Sequence, residues 1–281
     1  MTSGETGPCM QTPSDTWHLI RTPPLPGAMN MAIDEALVEA VEAGTHPPTL
    51  RLYAWAPPCL SLGHAQPAAD ANPDALHHLG WDLVRRATGG RAILHTDELT
   101  YAIVAPETHP LMVGGVLPSY RRLSRGLAAG LRALGAQVKA DAEYPAEPTL
   151  GPVCFEVPSN YEITSGGRKL MGSAQWRRRG VVLQHGSLPL TGDIARIVRA
   201  LRVTHGTPSE IEARVRSRAL TLSEALGREV EWSEAARALA EGFAAALPMR
   251  LVEAGLGEAE RRRAEALAVE KYAHSAWTYR L

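Results

Sequence analysis

Three cysteines, Cys9, Cys59 and Cys154, are spread along the 281 residues. Their odd number and wide spacing fit neither a disulfide framework nor a zinc site, which needs closely spaced ligand pairs. Cys9 lies in a polar Gly/Pro/Ser/Thr arm, and Cys59 in the apolar run Cys59-Leu60-Ser61-Leu62, which reads as a buried strand. Only Cys154 invites a chemical reading. A free thiol with a pKa near about 8.5 is only a few per cent thiolate at neutral pH, so a nucleophilic cysteine needs a cation or base beside it. Lys169, on the hairpin that follows, is the best candidate. An isolated cysteine is more often a small buried hydrophobe and an isolated strand lysine more often a solvated charge. Spacing alone leaves both readings open.

Three other segments carry groups of chemical interest. Arg85-Arg86-Ala87-Thr88-Gly89-Gly90-Arg91-Ala92-Ile93-Leu94-His95 is a strand that enters a Gly-Gly turn and returns as another strand. Glycines let a ligand approach the backbone, and the amides of such a turn bind an anionic or carbonyl oxygen. The same residues also describe a plain hairpin with solvated arginines. Arg168-Lys169-Leu170-Met171-Gly172-Ser173-Ala174-Gln175 alternates as a strand, with Lys169, Met171 and Ser173 expected on one face and Gly172 opening space on the other. In Leu183-Gln184-His185-Gly186-Ser187-Leu188, His185 either lines the same cleft or is a satisfied core histidine, and the residues by themselves favour the structural role.

These groups need a scaffold. Trp17 to Ile20 reads as a short strand, and Pro23, Pro24 and Pro26 then forbid regular structure as far as Gly27. Met29, Ile33, Ala36, Leu37, Ala40 and Val41 recur at helical spacing, with Asn30 as cap, Gly44 as stop, and Asp34, Glu35 and Glu39 expected to face water. Strands are expected at Leu50 to Ala54, Cys59 to Leu62, Asp82 to Arg86 and Leu99 to Val104, and a helix from Ser119 to Leu134. Tyr161 to Thr164, the turn Ser165-Gly166-Gly167, Arg168 to Gln175 and Val181 to Leu188 make a three-stranded meander. From Asp193 onward helical patterns dominate, notably Ser233 to Ala246 and Glu258 to Tyr272, so the segment 193–281 is expected to be a helical layer on the sheet. With no internal repeat and no linker, the expectation is a short arm over residues 1–15 and one α+β domain over 16–281, built of mixed, largely antiparallel sheets flanked by helices.

Composition narrows the function. Twenty-nine basic against thirty acidic side chains give a net charge of -1, which argues against a sequence-independent phosphate-binding surface and so against nucleic acid as a partner. No run approaches the roughly 18 apolar residues that span a bilayer, and Met1 to Ser14 has neither a basic start nor an apolar stretch. A reduced, cytoplasmic protein with no membrane partner is expected.

Together the segments resemble the biotinyl/lipoyl protein ligase and transferase (lipoate–protein ligase A) family, from about Trp17 to Trp277. Asn30-Met31-Ala32-Ile33-Asp34-Glu35-Ala36 is similar to the family's first helix, Ser61-Leu62-Gly63 to its next strand, and Arg85 to His95 to its arginine and Gly-Gly acyl-binding loop. Arg168-Lys169 through Gln175 is similar to its lysine strand, and Leu183 to Leu188 and Glu270-Lys271-Tyr272 with Trp277 also match. Cys154 ahead of the lysine strand and the Thr88-Gly89-Gly90-Arg91-Ala92 loop resemble the cysteine-dependent, LipM-type octanoyltransferase branch. His64 stands where related proteins often carry an aromatic residue.

The resemblance implies an acyltransferase in which Cys154 is the nucleophile and Lys169 its partner. Arg85, Arg86, Thr88, Gly89, Gly90, Arg91, His95, Gly172, Ser173, Ala174, His185 and Gly186 would bind the acyl substrate. It implies octanoyl acyl carrier protein as donor, a lipoyl domain or glycine-cleavage H protein as acceptor, and no metal or cofactor. Two alternatives stay open. One is an amidotransferase moving octanoyl between lipoyl domains. The other is an ATP-dependent lipoate–protein ligase, which would need ATP and Mg and leave Cys154 a bystander.

Overall fold

The computed structural model describes residues 16–140, 162–204 and 206–281. The chain opens with β1 (Thr16–Arg21), α1 (Gly27–Glu42), β2 (Thr49–Tyr53), β3 (Cys59–Leu62), α2 (Pro73–Leu79), β4 (Asp82–Arg85), β5 (Ile93–His95) and β6 (Glu98–Pro106). It continues through α3 (Val116–Ala133) to the meander β7 (Glu162–Ser165), β8 (Arg168–Arg178) and β9 (Val181–Pro189). Then come α4 (Pro208–Arg218), α5 (Leu222–Leu226), α6 (Trp232–Ala246), β10 (Arg250–Ala254), α7 (Glu258–Leu267) and α8 (Ser275–Thr278).

Among the described residues the strands form a seven-stranded sheet in the order β10-β1-β2-β6-β9-β8-β7 and a three-stranded sheet in the order β4-β3-β5. In the large sheet β10, β1 and β2 run parallel and every other pairing is antiparallel, so the expected α+β class holds. Strand alternation assigns the faces. Leu50 and Leu52 of β2, with Leu99, Tyr101 and Ile103 of β6, pack on the side of α3 and α6. Tyr53, Ala102 and Val104 pack on the side of α1 and α7. Both faces are therefore covered. Helices α3 and α6 touch backbone to backbone: a Cβ at Gly130 would sit 2.5 Å from the Ala238 carbonyl oxygen, and one at Gly242 would overlap Gly130 itself.

Four expectations need correction. Helix α1 starts at Gly27, with Pro26 at its N-cap, rather than at Asn30. The Asn30 amide is used elsewhere, donating to the Leu25 and Ala54 carbonyls at 3.1 and 3.0 Å, which fixes the helix against the strand edge. Asp34 and Glu35 do not face water; both are buried, because cationic and hydroxyl partners reach them from distant elements. Residues 193–281 are not purely helical, since β10 extends the sheet by pairing with β1. Met171 does not share a face with Lys169. The β7–β8 register slips between Ile163 and Thr164, Leu170 drops out of the pairing, and Met171 joins the α3/α6 core while Lys169 turns to the other side.

Candidate active site

A cavity of about 320 Å³ opens between the two sheets. The small sheet contributes Ser61 from β3, Ile93 and His95 from β5, and the Gly89-Gly90-Arg91 turn between β4 and β5. Opposite stand Lys169 and Gly172 to Gln175 of β8, and His185 to Ser187 of β9. Met31, Tyr53, Trp55 and Thr100 close it from the α1 side. Two glycines set its shape. Gly90 has φ +92°, and a Cβ at Gly63 would overlap the Gly90 carbonyl oxygen, so the turn can lie flat on β3 only because both positions lack side chains.

A buried polar cluster fixes the wall formed by β2 and β9. Arg51 donates to Asp34 Oδ1 at 2.7 Å and to Asn30 Oδ1 at 2.7 Å, and the Tyr53 hydroxyl donates to Asp34 Oδ2 at 2.9 Å. His185 Nδ1 lies 3.3 Å from Asp34 Oδ2, and its Nε2 is 2.6 Å from the Thr88 hydroxyl, which ties β9 to the Gly-Gly turn. Burial acts to raise the Asp34 carboxyl, but the Arg51 charge and the His185 and Arg51 hydrogen bonds outweigh it and hold the group below the usual carboxylate range. Burial dominates at His185 and lowers its pKa despite Asp34, favouring the neutral ring.

A second array runs along the small sheet. Ser61 Oγ is 2.8 Å from His95 Nε2 and accepts from Arg86 at 3.0 Å. His95 Nδ1 lies 3.1 Å from Glu98 Oε1, off the line of a full hydrogen bond. Trp55 stacks on the His95 ring at 3.9 Å and donates its indole N–H to Thr100 at 2.8 Å, and the Thr100 hydroxyl donates to Glu98. Arg86 also donates to the Ser61, Gly89 and Arg91 carbonyls at 2.9, 2.9 and 2.7 Å, so its guanidinium braces the turn.

Lys169 Nζ is 2.7 Å from Glu162 Oε1, and both residues are 4% exposed. The slipped register carries Lys169 to the cavity side, where this ion pair places a fixed cation against an otherwise mostly apolar space. Of the residues expected at the site, Arg86, Gly89, Gly90, Arg91, His95 and Lys169 line the cavity, as do Gly172, Ser173, Ala174, His185 and Gly186. Arg85 and Thr88 do not. Arg85 points toward the chain's last turns, donating to the Thr278 and Gly63 carbonyls at 2.9 and 2.8 Å, while its own carbonyl accepts from the Trp277 indole at 2.8 Å. Thr88 lies behind the wall, bonded to His185. Cys154 falls outside the described residues. Among the described residues no cluster of His, Cys, Asp and Glu is suited to a metal ion, and no helix is long and apolar enough to cross a membrane.

The pattern described as the lipoyl protein ligase A/B catalytic domain matches residues 26–244. The chain belongs to this family. An octanoyltransferase LipM of Symbiobacterium thermophilum is 45% identical over 94% of this chain and 98% of its own length. One from Moorella thermoacetica is 44% identical over 95% and 99%. The fold matches the bi-partite lipoate protein ligase of Thermoplasma acidophilum with a TM-score of 0.77 at 24% identity, covering 94% of this chain and 95% of that one.

Sequence reading missed Ser61, Trp55, Tyr53, Asp34, Glu98 and Glu162 as site residues. Only register reveals most of them. Cys59 pairs with His95 and Ser61 with Ile93 across β3 and β5, which puts Ser61 and His95 on one face of the small sheet. Asp34 had one readable signal, an acidic residue next to apolar Ile33 on a helix that must be covered.

Proposed function

We propose that the chain transfers an octanoyl group from octanoyl acyl carrier protein to the lysine of a lipoyl domain or the glycine-cleavage H protein, through a thioester on Cys154. The observation that carries this reading is the buried Lys169 cation on the wall of a largely apolar cavity, facing the Gly-Gly turn, on the hairpin that follows Cys154 in the chain. The near-full-length similarity to proteins named octanoyltransferase supports the choice of acyl group.

In the first step the Cys154 thiolate attacks the donor's thioester carbonyl. The carbon–sulfur bond to Cys154 forms, the bond to the donor breaks, and the donor thiol leaves. A nearby ammonium lowers the cost of the thiolate, which is the role assigned to Lys169. Amides of the Gly-Gly turn or of β8 near Gly172 are the donors available to an oxyanion. In the second step the acceptor's amine displaces the sulfur and an amide results. The donor thioester is already activated, so neither ATP nor a metal is required. The apolar wall holds the C8 chain, each buried CH₂ contributing about 0.8 kcal/mol. The reaction belongs in the cytoplasm, where thiols stay reduced.

The test is intact mass spectrometry of the protein after mixing with octanoyl acyl carrier protein and no ATP, beside a Cys154→Ala control. An octanoyl increment on the wild type alone is expected. Absence of the increment, with ATP-dependent acylation of a lipoyl domain from free acid, would make the chain a ligase.

A further inference from the structure

Resting on the acyl-transfer reading above, we propose that Ser61, His95 and Glu98 form a proton relay that accepts a proton from the incoming lysine. The chemistry demands an acceptor. A lysine amine has a pKa near about 10.4 and enters as the ammonium, which cannot attack a thioester. The step R–NH₃⁺ plus thioester gives amide, thiol and one proton. The carbon–nitrogen bond forms, the carbon–sulfur bond breaks with its electron pair going to Cys154, one proton joins that sulfur, and one must go elsewhere.

Few groups on the cavity wall can take it. Lys169 is already the ammonium half of an ion pair with Glu162, and Arg86 and Arg91 are guanidinium cations. His185 faces Asp34, but Asp34 is already matched by Arg51 at 2.7 Å and by the Tyr53 hydroxyl. A proton on His185 would have no unmatched anion to meet.

His95 is placed differently. His95 Nδ1 lies 3.1 Å from a Glu98 carboxyl oxygen, which assigns the ring hydrogen to Nδ1 and leaves Nε2 to accept from the Ser61 hydroxyl at 2.8 Å, while Ser61 Oγ in turn accepts from Arg86. Glu98 is 4% exposed, makes no ion pair with Lys or Arg among the described residues, and its Oε2 has no hydrogen-bond partner there. Protonating the ring turns the 3.1 Å contact with Glu98 into a buried ion pair. The stacked Trp55 and the Trp55–Thr100–Glu98 hydrogen bonds hold ring and carboxylate in place. Ser61 is fully buried in the cavity wall and His95 is 4% exposed, so the relay runs through the wall: an amine pressed against it gives its proton to Ser61 Oγ as Ser61 passes its own to Nε2.

The experiment begins from isolated octanoyl-enzyme, made with octanoyl acyl carrier protein, in the wild type and in His95→Gln, Ser61→Ala and Glu98→Gln. Each is mixed at pH 7 with a lipoyl domain or with hydroxylamine, an amine already neutral at that pH, and loss of the octanoyl mass is timed. Positioned proton transfer contributes about 10²–10⁴-fold, so His95→Gln should slow the lysine reaction at least about 100-fold more than the hydroxylamine reaction. Ser61→Ala and Glu98→Gln should show the same selective loss, smaller in size, and they carry the test if His95→Gln does not fold. Equal slowing with both amines, or no slowing with either, overturns the relay while leaving the Cys154 thioester standing. Failure of the wild type to form octanoyl-enzyme overturns both.

Discussion

Asp34→Ala probes how far one buried charge holds the cavity wall. The substitution removes the carboxylate that lies 2.7 Å from Arg51 and 2.9 Å from the Tyr53 hydroxyl, at sites with 1% and 0% of the two charged side chains exposed. Stripping one partner from a buried ion pair costs about 3–5 kcal/mol. An orphaned buried hydroxyl adds about 1–3 kcal/mol. Arg51 keeps its bonds to the Asn30 carbonyl, Asn30 Oδ1 and Thr22, so the lower end of the sum applies, about 4 kcal/mol. For a domain of this size 1 kcal/mol is worth about 2–4 °C, which predicts a fall of about 8–16 °C in Tm by calorimetry or circular dichroism. The pairing is tested separately by replacing both partners, Asp34→Leu with Arg51→Met. The double variant should recover much of the loss, because no charge is then left buried alone. An Asp34→Ala protein melting within about 2 °C of the wild type would refute the assignment.

The same cluster sets the acid response. Asp34 has a folded pKa below its free value of 3.8 and His185 one below its free value of 6.5, so in both cases the unfolded chain binds the proton more readily. Stability should therefore fall as pH drops below about 6.5, and again below about 4; in Asp34→Asn the second decline should be shallower, as read from denaturant midpoints across pH. Cys59 is buried beneath α1 and its pKa is raised well above normal by that burial. In a Cys9→Ala/Cys154→Ala variant a thiol reagent should label it only as the chain unfolds, and rapid labelling of the native protein would contradict the packing. Gly130→Ala gains about 1 kcal/mol in helix propensity but drives a methyl against the Ala238 carbonyl, where overpacking costs about 1–3 kcal/mol or more. That contact is rigid backbone, so a lower urea midpoint is expected. Shortening the donor acyl chain from C8 to C6 removes about 1.6 kcal/mol of burial, and kcat/KM should drop about 15-fold. A flat chain-length profile would mean that the chain binds outside the cavity.

Most of the scaffold was legible because the strands, buried on both faces, stand out locally as short apolar runs bounded by turn residues. Cys59 to Leu62 is read residue for residue, and the meander, the Gly44 stop and the Gly166-Gly167 turn follow from apolar spacing and glycine. What failed is nonlocal. Asp34 and Glu35 look like solvent-facing acids until Arg51, His185, Lys271 and Tyr272 arrive from other elements. Strand β10 is half exposed, so Arg250-Leu251-Val252-Glu253-Ala254 shows no apolar face, and its strand character comes from the β1 edge it joins. A one-residue slip at Leu170 reversed the expected companion of Lys169, and no periodicity announces a bulge. The meeting of Ser61 with His95 depends on the β3–β5 register, although both were visible as residues.

The parallel edge of the large sheet also has a consequence for how the chain is made. Strand β1 pairs on one side with β2, a short distance along the chain, and on the other with β10, so Thr16 waits for Arg250, about 230 residues later. At about 5–20 residues per second the ribosome takes roughly 10–50 s to deliver that neighbour. Through that interval the nascent chain carries β1 with one row of peptide groups bare, a template for pairing with a second nascent chain. A stalled or truncated product ending before Arg250 would keep that row open permanently. Such fragments should be the sticky fraction during overexpression, and co-translational holdases should be found on chains that have finished the cavity but not yet the strand that covers β1.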